Sequence, residues 1–233
     1  MQGDFGQDRK NVGYTIKSFL EAFKNKPKQP ALILKAHQVG TSILDRERML
    51  DKIEEIRRSV KGKLPNVYLL HGEVSDKEIN ALYNHPKVKV MVSLTKGEGF
   101  GRPLLEFATV GKPIIASGWS GQIDFLHREY NLLVGGDLKN VHKSAAQKEM
   151  ILEESKWFTP NDQEVAKAYR ESFKHYKKYE QLAKSQRKVV RDNFTYEHMV
   201  TKLGEVLNKS IPEFPTEVKL TLPKLNLPKL EKA

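Results

Sequence analysis

The sequence predicts an α/β fold whose centre is a Rossmann-like, doubly wound parallel sheet. Short apolar runs alternate with amphipathic segments along the first two thirds of the chain, at a spacing that calls for βαβ crossovers. Runs such as ALIL, PIIA and NLLV lack the alternation of a half-exposed strand, as parallel strands covered on both faces do. Glycines 97, 99 and 101 fall between one such run and the next helix, at the carboxyl end of a strand, where open α/β sheets bind ligands.

In chain order, residues 14–23 (YTIKSFLEAF) have helical apolar spacing and residues 31–35 (ALILK) read as a strand. Residues 42–60 put Ile43, Leu50, Ile53 and Ile56 on one stripe of an amphipathic helix. Residues 66–70 (NVYLL) are the next strand. Ser75 and Glu78 then form a capping box, which opens a helix. A strand at 88–94 leads into the glycine loop, and an apolar helix runs over about 102–110. Strands at 113–116 and 131–134 follow.

Beyond residue 135 the pattern turns helical, with helices expected over 148–157, 162–191 and 195–207. Asn161 or Thr159 caps the second, with Pro160 near its first turn, and Thr195 caps the third. One domain of residues 1–210 is expected, with a sheet part (1–135) and a helical part (136–210). Residues 211–233, punctuated by proline and basic, are expected to be an extended tail. The strand that normally opens a doubly wound domain is missing from the pattern: only Phe5 is bulky and apolar between Met1 and the first helix.

Composition narrows the function. With no cysteine, disulfides, thiol nucleophiles and thiolate metal sites are excluded, and a reducing compartment is the default. The seven histidines are scattered without metal-ligand spacing, so no metal is expected. No apolar run is long enough to span a membrane, and the N-terminus has no apolar leader. The net charge of +11 admits a nucleic-acid partner, but the excess is split almost evenly between the two parts of the chain. The basic, tyrosine-containing segment 167–191 reads either as a nucleic-acid surface or as an amphipathic helix that turns Tyr169, Phe173, Tyr176 and Leu182 to the sheet.

The loop itself is more specific. A strand–glycine–helix junction exposes backbone N–H groups to an anion and places a helix N-terminus beside it. The dinucleotide fingerprint fails because Arg102 or Leu104 stands where its last glycine is needed, and the P-loop fails because Pro113 follows Gly111-Lys112. Glu98 and Glu106 would repel phosphate, so they need another partner. Sugar hydroxyls fit, since a carboxylate accepts several hydrogen bonds. Phosphate on the backbone with carboxylates for sugars describes a nucleotide-sugar site.

The stretch from Glu98 through Gly99, Phe100, Gly101, Arg102 and Pro103 to Glu106 resembles the E-x7-E motif of retaining GT-B glycosyltransferases (glycosyl transferases group 1). The run 112–116, the turn from Ser117 through Gly118, Trp119 and Ser120 to Gly121, and Phe194-Thr195-Tyr196 also resemble that family. The resemblance covers about residues 5–210, the C-terminal donor-binding half of such an enzyme, and is strongest to versions from marine bacteriophages. It implies that Glu98 sits by the transferred sugar, that Glu106 holds the nucleotide ribose, and that amides of Gly97, Gly99, Phe100 and Gly101 meet the diphosphate. Arg9 and Lys10 are the matches for the family's diphosphate-binding pair, at tighter spacing than usual. It also implies a nucleotide-diphosphate sugar as donor, no cofactor, no metal and a cytoplasmic site of action (the host cytoplasm for a phage gene). The acceptor-binding half is not in the sequence. A non-catalytic donor- or glycan-binding module, completed by a separate acceptor domain or chain, is therefore the alternative reading. A basic nucleic-acid-binding protein is a distant one that explains neither glutamate. Bland readings stay open for single residues: Arg9 and Lys10 as a surface pair, Trp119 as a packing residue, and His37 and His71 as structural histidines.

Overall fold

The computed structural model describes residues 8–36, 41–146 and 149–212. His37, the start of the helix expected from 148 and nearly all of the tail lie outside them.

Five parallel strands carry the α/β part. β1 (Leu32–Lys35) pairs with β2 (Val67–Leu70), with Leu32 opposite Val67. β3 (Met91–Ser93), β4 (Ile114–Ser117) and β5 (Leu132–Val134) form a second parallel group with β4 in the middle. All four residues of β4 are buried, which explains its unbroken apolar run. No strand among the described residues joins β1 to β3. In the doubly wound order that central place belongs to the opening strand, the one missing from the sequence pattern. Both groups still pack on one core: Leu34, Leu94, Ile115 and Val134 meet Ile16, Phe19, Leu20 and Phe23 of α1 (Val12–Phe23).

α2 (Ile43–Ser59) starts at Ser42, whose hydroxyl accepts from the Asp45 N–H. Its inward face differs from the expected stripe. Asp45, Met49 and Ile53 are buried, whereas Ile43 and Leu50 are exposed. The cause is polar: His71 Nε2 lies 2.9 Å from Asp45 Oδ2 with both side chains buried, and this pair rotates the helix face. α3 (Asp76–Asn84) has the predicted capping box at Ser75 and Glu78.

The region after residue 135 departs further from expectation. Where helix was expected over 148–157, Lys156–Pro160 forms β7, antiparallel to β6 (Gly136–Asn140). Trp157, Phe158 and Thr159 favour a pleated surface, and the side chain of Phe158 is buried between two less buried neighbours. Pro160 therefore ends a strand rather than starting a helix. α5 (Asp162–Lys174) begins at Asn161, whose side chain accepts from the Gln163 and Glu164 N–H groups. The single helix expected to residue 191 is broken at His175, and α6 (Tyr176–Asn193) follows. On these helices Tyr169 is fully packed and Phe173 is exposed, with its ring edge-on to Phe23 at 5.4 Å. Tyr169 meets Phe19 and Phe23 edge-on at 5.9 and 6.0 Å, and burial pushes its phenol above the usual range.

Residues from Phe194 form a separate compact unit. Its helix, α7 (Tyr196–Ser210), is capped by Thr195, whose hydroxyl accepts from the His198 N–H at 3.2 Å.

A buried amide network joins α6 to the chain entering β5. Gln186 Nε2 donates to Phe125 O (2.6 Å), and its Oε1 accepts from His127 N (3.0 Å) and Asn131 Nδ2 (2.6 Å). Replacing Gln186 by Ala removes all three hydrogen bonds at once, and only Asn131 Nδ2 keeps its second one, to His127 O, among those described. Urea unfolding of Gln186→Ala should show a loss of about 3 kcal/mol.

Candidate functional site

Three chain segments converge at the carboxyl ends of β3 and β4: residues 8–11, 94–101 and 117–121. The buried Ser117 hydroxyl donates to Thr95 O at 2.7 Å and ties the two strand ends together. Asn11 adopts a left-handed backbone (φ 57°) and spends its side chain on Leu94 O at 3.0 Å instead of capping α1. Lys96 N–H donates to Arg9 O at 2.8 Å. The residues just before α1 are thus fastened to the end of β3, and this fixes where Arg9 and Lys10 point.

Both point at Glu98. Arg9 Nη1 lies 3.2 Å from Glu98 Oε2 and also donates to Gly97 O, while Lys10 Nζ lies 2.6 Å from Glu98 Oε1. The Glu98 side chain is only 11 % exposed. Arg9 and Lys10 are half-open to solvent, so another anion can reach them from outside.

The loop's shape is set from the opposite side by the turn at 120–121. Ser120 Oγ donates to Glu98 O (2.6 Å) and accepts from Glu98 N–H (3.0 Å), and Gly121 N–H also donates to Glu98 O (3.1 Å). A Cβ on Gly121 would fall 2.1 Å from Gly99 O, so the two backbones touch there. Of the loop glycines only Gly101 has positive φ (91°), as the residue before α4 (Arg102–Ala108). Gly97 and Gly99 do not. Nothing lies within 4 Å of a Cβ built on Gly99, so packing within the chain does not require glycine there.

Glu106 stands apart from this cluster. It lies one turn into α4, half-exposed, and pairs with Arg102 at 2.7 Å. Phe100 is exposed on one side and lies against the Phe125 ring at 5.1 Å. Trp119 lies parallel to Phe158 at 6.3 Å, so it packs on the hairpin and leaves part of its surface open. The hairpin also bonds the loop directly: Phe158 N–H donates to Lys96 O, and Lys96 Nζ sits over the Trp157 ring. Burial lowers the Lys96 pKa, with the nearby Asp8 charge opposing. No group of three or more potential metal-ligating residues occurs among the described residues.

The structure therefore brings together Arg9, Lys10, Gly97 and Glu98 and leaves Glu106 on a separate ion pair. The sequence reasoning missed Ser120 and Gly121 as parts of the loop's framework, and the Asn11 anchor. The available signal was a turn punctuated by glycine and serine that lies one strand beyond the glycine loop, at its matching end.

The family model described as glycosyl transferases group 1 matches residues 1–154. No curated protein matches. Among solved structures, sucrose-phosphate synthase from Thermosynechococcus elongatus aligns with a TM-score of 0.56 at 20% identity, over 87% of this chain and 43% of that one. HepE of Anabaena in complex with UDP-glucose aligns with a TM-score of 0.56 at 15% identity, over 86% and 46%. The C-terminal domain of a glycosyl transferase group 1 family protein, LpcC from Francisella tularensis, aligns with a TM-score of 0.54 at 15% identity, over 81% of each chain. At such identities the likeness is one of fold. The chain spans under half the length of the first two.

The contact between Gly121 and Gly99 O can be tested sterically. Gly121→Ala forces the loop off the turn and should cost about 1–3 kcal/mol in urea unfolding, as overpacking does. Faster amide exchange should appear at residues 97–101, with β4 unaffected.

Proposed function

Because this chain belongs to the glycosyl transferases group 1, we propose that it is the donor-binding domain of a retaining, metal-independent enzyme that uses a nucleotide-diphosphate sugar. One observation carries the reading: at the strand ends, a nearly buried carboxylate lies between two cations that remain open to a ligand. Arg9 and Lys10 take the diphosphate, with backbone N–H groups of Gly97, Gly99, Phe100 and Gly101. The diphosphate competes with Glu98 for these cations, and the carboxylate it displaces accepts hydrogen bonds from the transferred sugar. Glu106 accepts from the nucleotide ribose once it leaves Arg102. Gly99 suits this role, since a bare backbone there lets a ligand approach closely.

In transfer, the bond from the sugar's anomeric carbon to the diphosphate oxygen breaks through an oxocarbenium-like state. A bond to the acceptor oxygen forms on the same face, and the acceptor's proton goes to the departing phosphate. Arg9 and Lys10 offset the negative charge that develops on the leaving group, and Glu98 faces the positive sugar. The chain spans under half the length of two of the solved structures it resembles, so donor binding is the activity to measure first. The UDP-glucose complex of the similar Anabaena protein guides the choice of probes.

Calorimetric titration of the full chain with UDP-glucose, ADP-glucose and GDP-mannose should give binding by at least one. Arg9→Ala or Glu106→Ala should weaken it by about tenfold, the value of one charge-assisted hydrogen bond. A folded chain that binds none of the three, or whose affinity ignores both substitutions, overturns the site. Tight, salt-sensitive binding to single-stranded or duplex nucleic acid instead would favour a basic nucleic-acid-binding protein.

A further inference from the structure

Ser120 has a backbone conformation (φ 74°, ψ −166°) that is almost reserved for glycine. A serine there needs a compensating interaction, and both hydrogen bonds of its hydroxyl go to a single residue. It donates to Glu98 O and accepts from Glu98 N–H. Those groups lie on either side of the Glu98 Cα, so one hydroxyl restrains both backbone torsions of Glu98 and with them the direction of its Cα–Cβ bond. Local stiffness cannot do this, because Glu98 stands between Gly97 and Gly99, the two residues least able to hold a backbone. Arg9 and Lys10 cannot do it during binding either, if a diphosphate occupies them.

We propose that Ser120 is a positioning residue: it holds Glu98 aimed at the transferred sugar after the cations have been taken by the diphosphate. This rests on the donor-site reading above. Ser120 touches neither sugar nor phosphate in this role. It contributes to recognition of the sugar and not of the nucleotide.

The test compares the full wild-type chain with Ser120→Ala and Ser120→Gly. Both remove the hydroxyl, and Ser120→Gly also removes the strained Cβ. The tightest-binding sugar nucleotide among UDP-glucose, ADP-glucose and GDP-mannose is titrated against its parent diphosphate. The ratio of the two affinities reports the sugar's contribution. Both variants should keep the diphosphate affinity within about twofold and lose about fivefold in that ratio, the worth of an ordinary hydrogen bond. In a Glu98→Ala background, which has no side chain left to aim, Ser120→Ala should cause no further loss in that ratio, because the serine acts through Glu98. An unchanged ratio, or equal weakening of both ligands, overturns the proposal. A ligand-free arm separates this from failure of the donor reading: amide exchange at residues 98–100 should quicken by about tenfold in Ser120→Ala while β4 is unaffected. If wild type binds no sugar nucleotide, the donor reading falls. Faster exchange then sustains the ordering role of Ser120, and unchanged exchange overturns it.

Discussion

The site depends on one polar joint between the ends of two adjacent parallel strands. The Ser117 hydroxyl on Thr95 O closes β4 onto β3 in a fully buried place, where a hydrogen bond meets little competition from water. Everything functional hangs from that joint. The glycine loop leaves it on one side and the 118–121 turn on the other, so their meeting at Glu98 is a consequence of strand pairing. The segment before α1 is added by Asn11 and Lys96, which bind the same strand end. Three stretches far apart in sequence thus share one small frame, and none of the charged side chains needs to define it.

The charges on this frame are arranged for exchange of partners. Two long cationic side chains would ordinarily lose much conformational freedom on meeting a ligand. Here Glu98 already orders them, and on the proposed reading a diphosphate inherits that order. The carboxylate is the nearest anion to both cations and, on the proposed reading, the group set free by their new partner. Two cations on one carboxylate leave a positive charge unbalanced at the loop, which draws an anion to it.

Much of this was legible in the sequence. The βαβ rhythm follows from runs such as PIIA, which become buried strands; the glycine loop marks the two glutamates, whereas the Arg9-Lys10 pair comes from the family resemblance alone. The parts that escaped have physical causes. The inward face of α2 is turned by a buried histidine–aspartate pair, and apolar periodicity carries no information about it. β6 (GDLKN) has an exposed, polar surface and little strand propensity of its own; it is a strand because β7 pairs with it. The break at His175 has no proline or glycine to announce it. The conformation of Ser120 comes from a contact 22 residues away.

The amide network of α6 has an implication for how this chain drifts over generations. Gln186 and Asn131 sit 55 positions apart, yet each supplies what the other's buried polar group needs. An apolar residue at 186 removes the bonds to Phe125 O and His127 N–H whatever stands at 131, whereas loss of Asn131 leaves Gln186 Oε1 still accepting from His127 N–H. Inheritance should therefore hold position 186 more tightly than position 131. Descendants would vary at 131 before they vary at 186, an asymmetry written into the gene by two main-chain groups that one side chain serves.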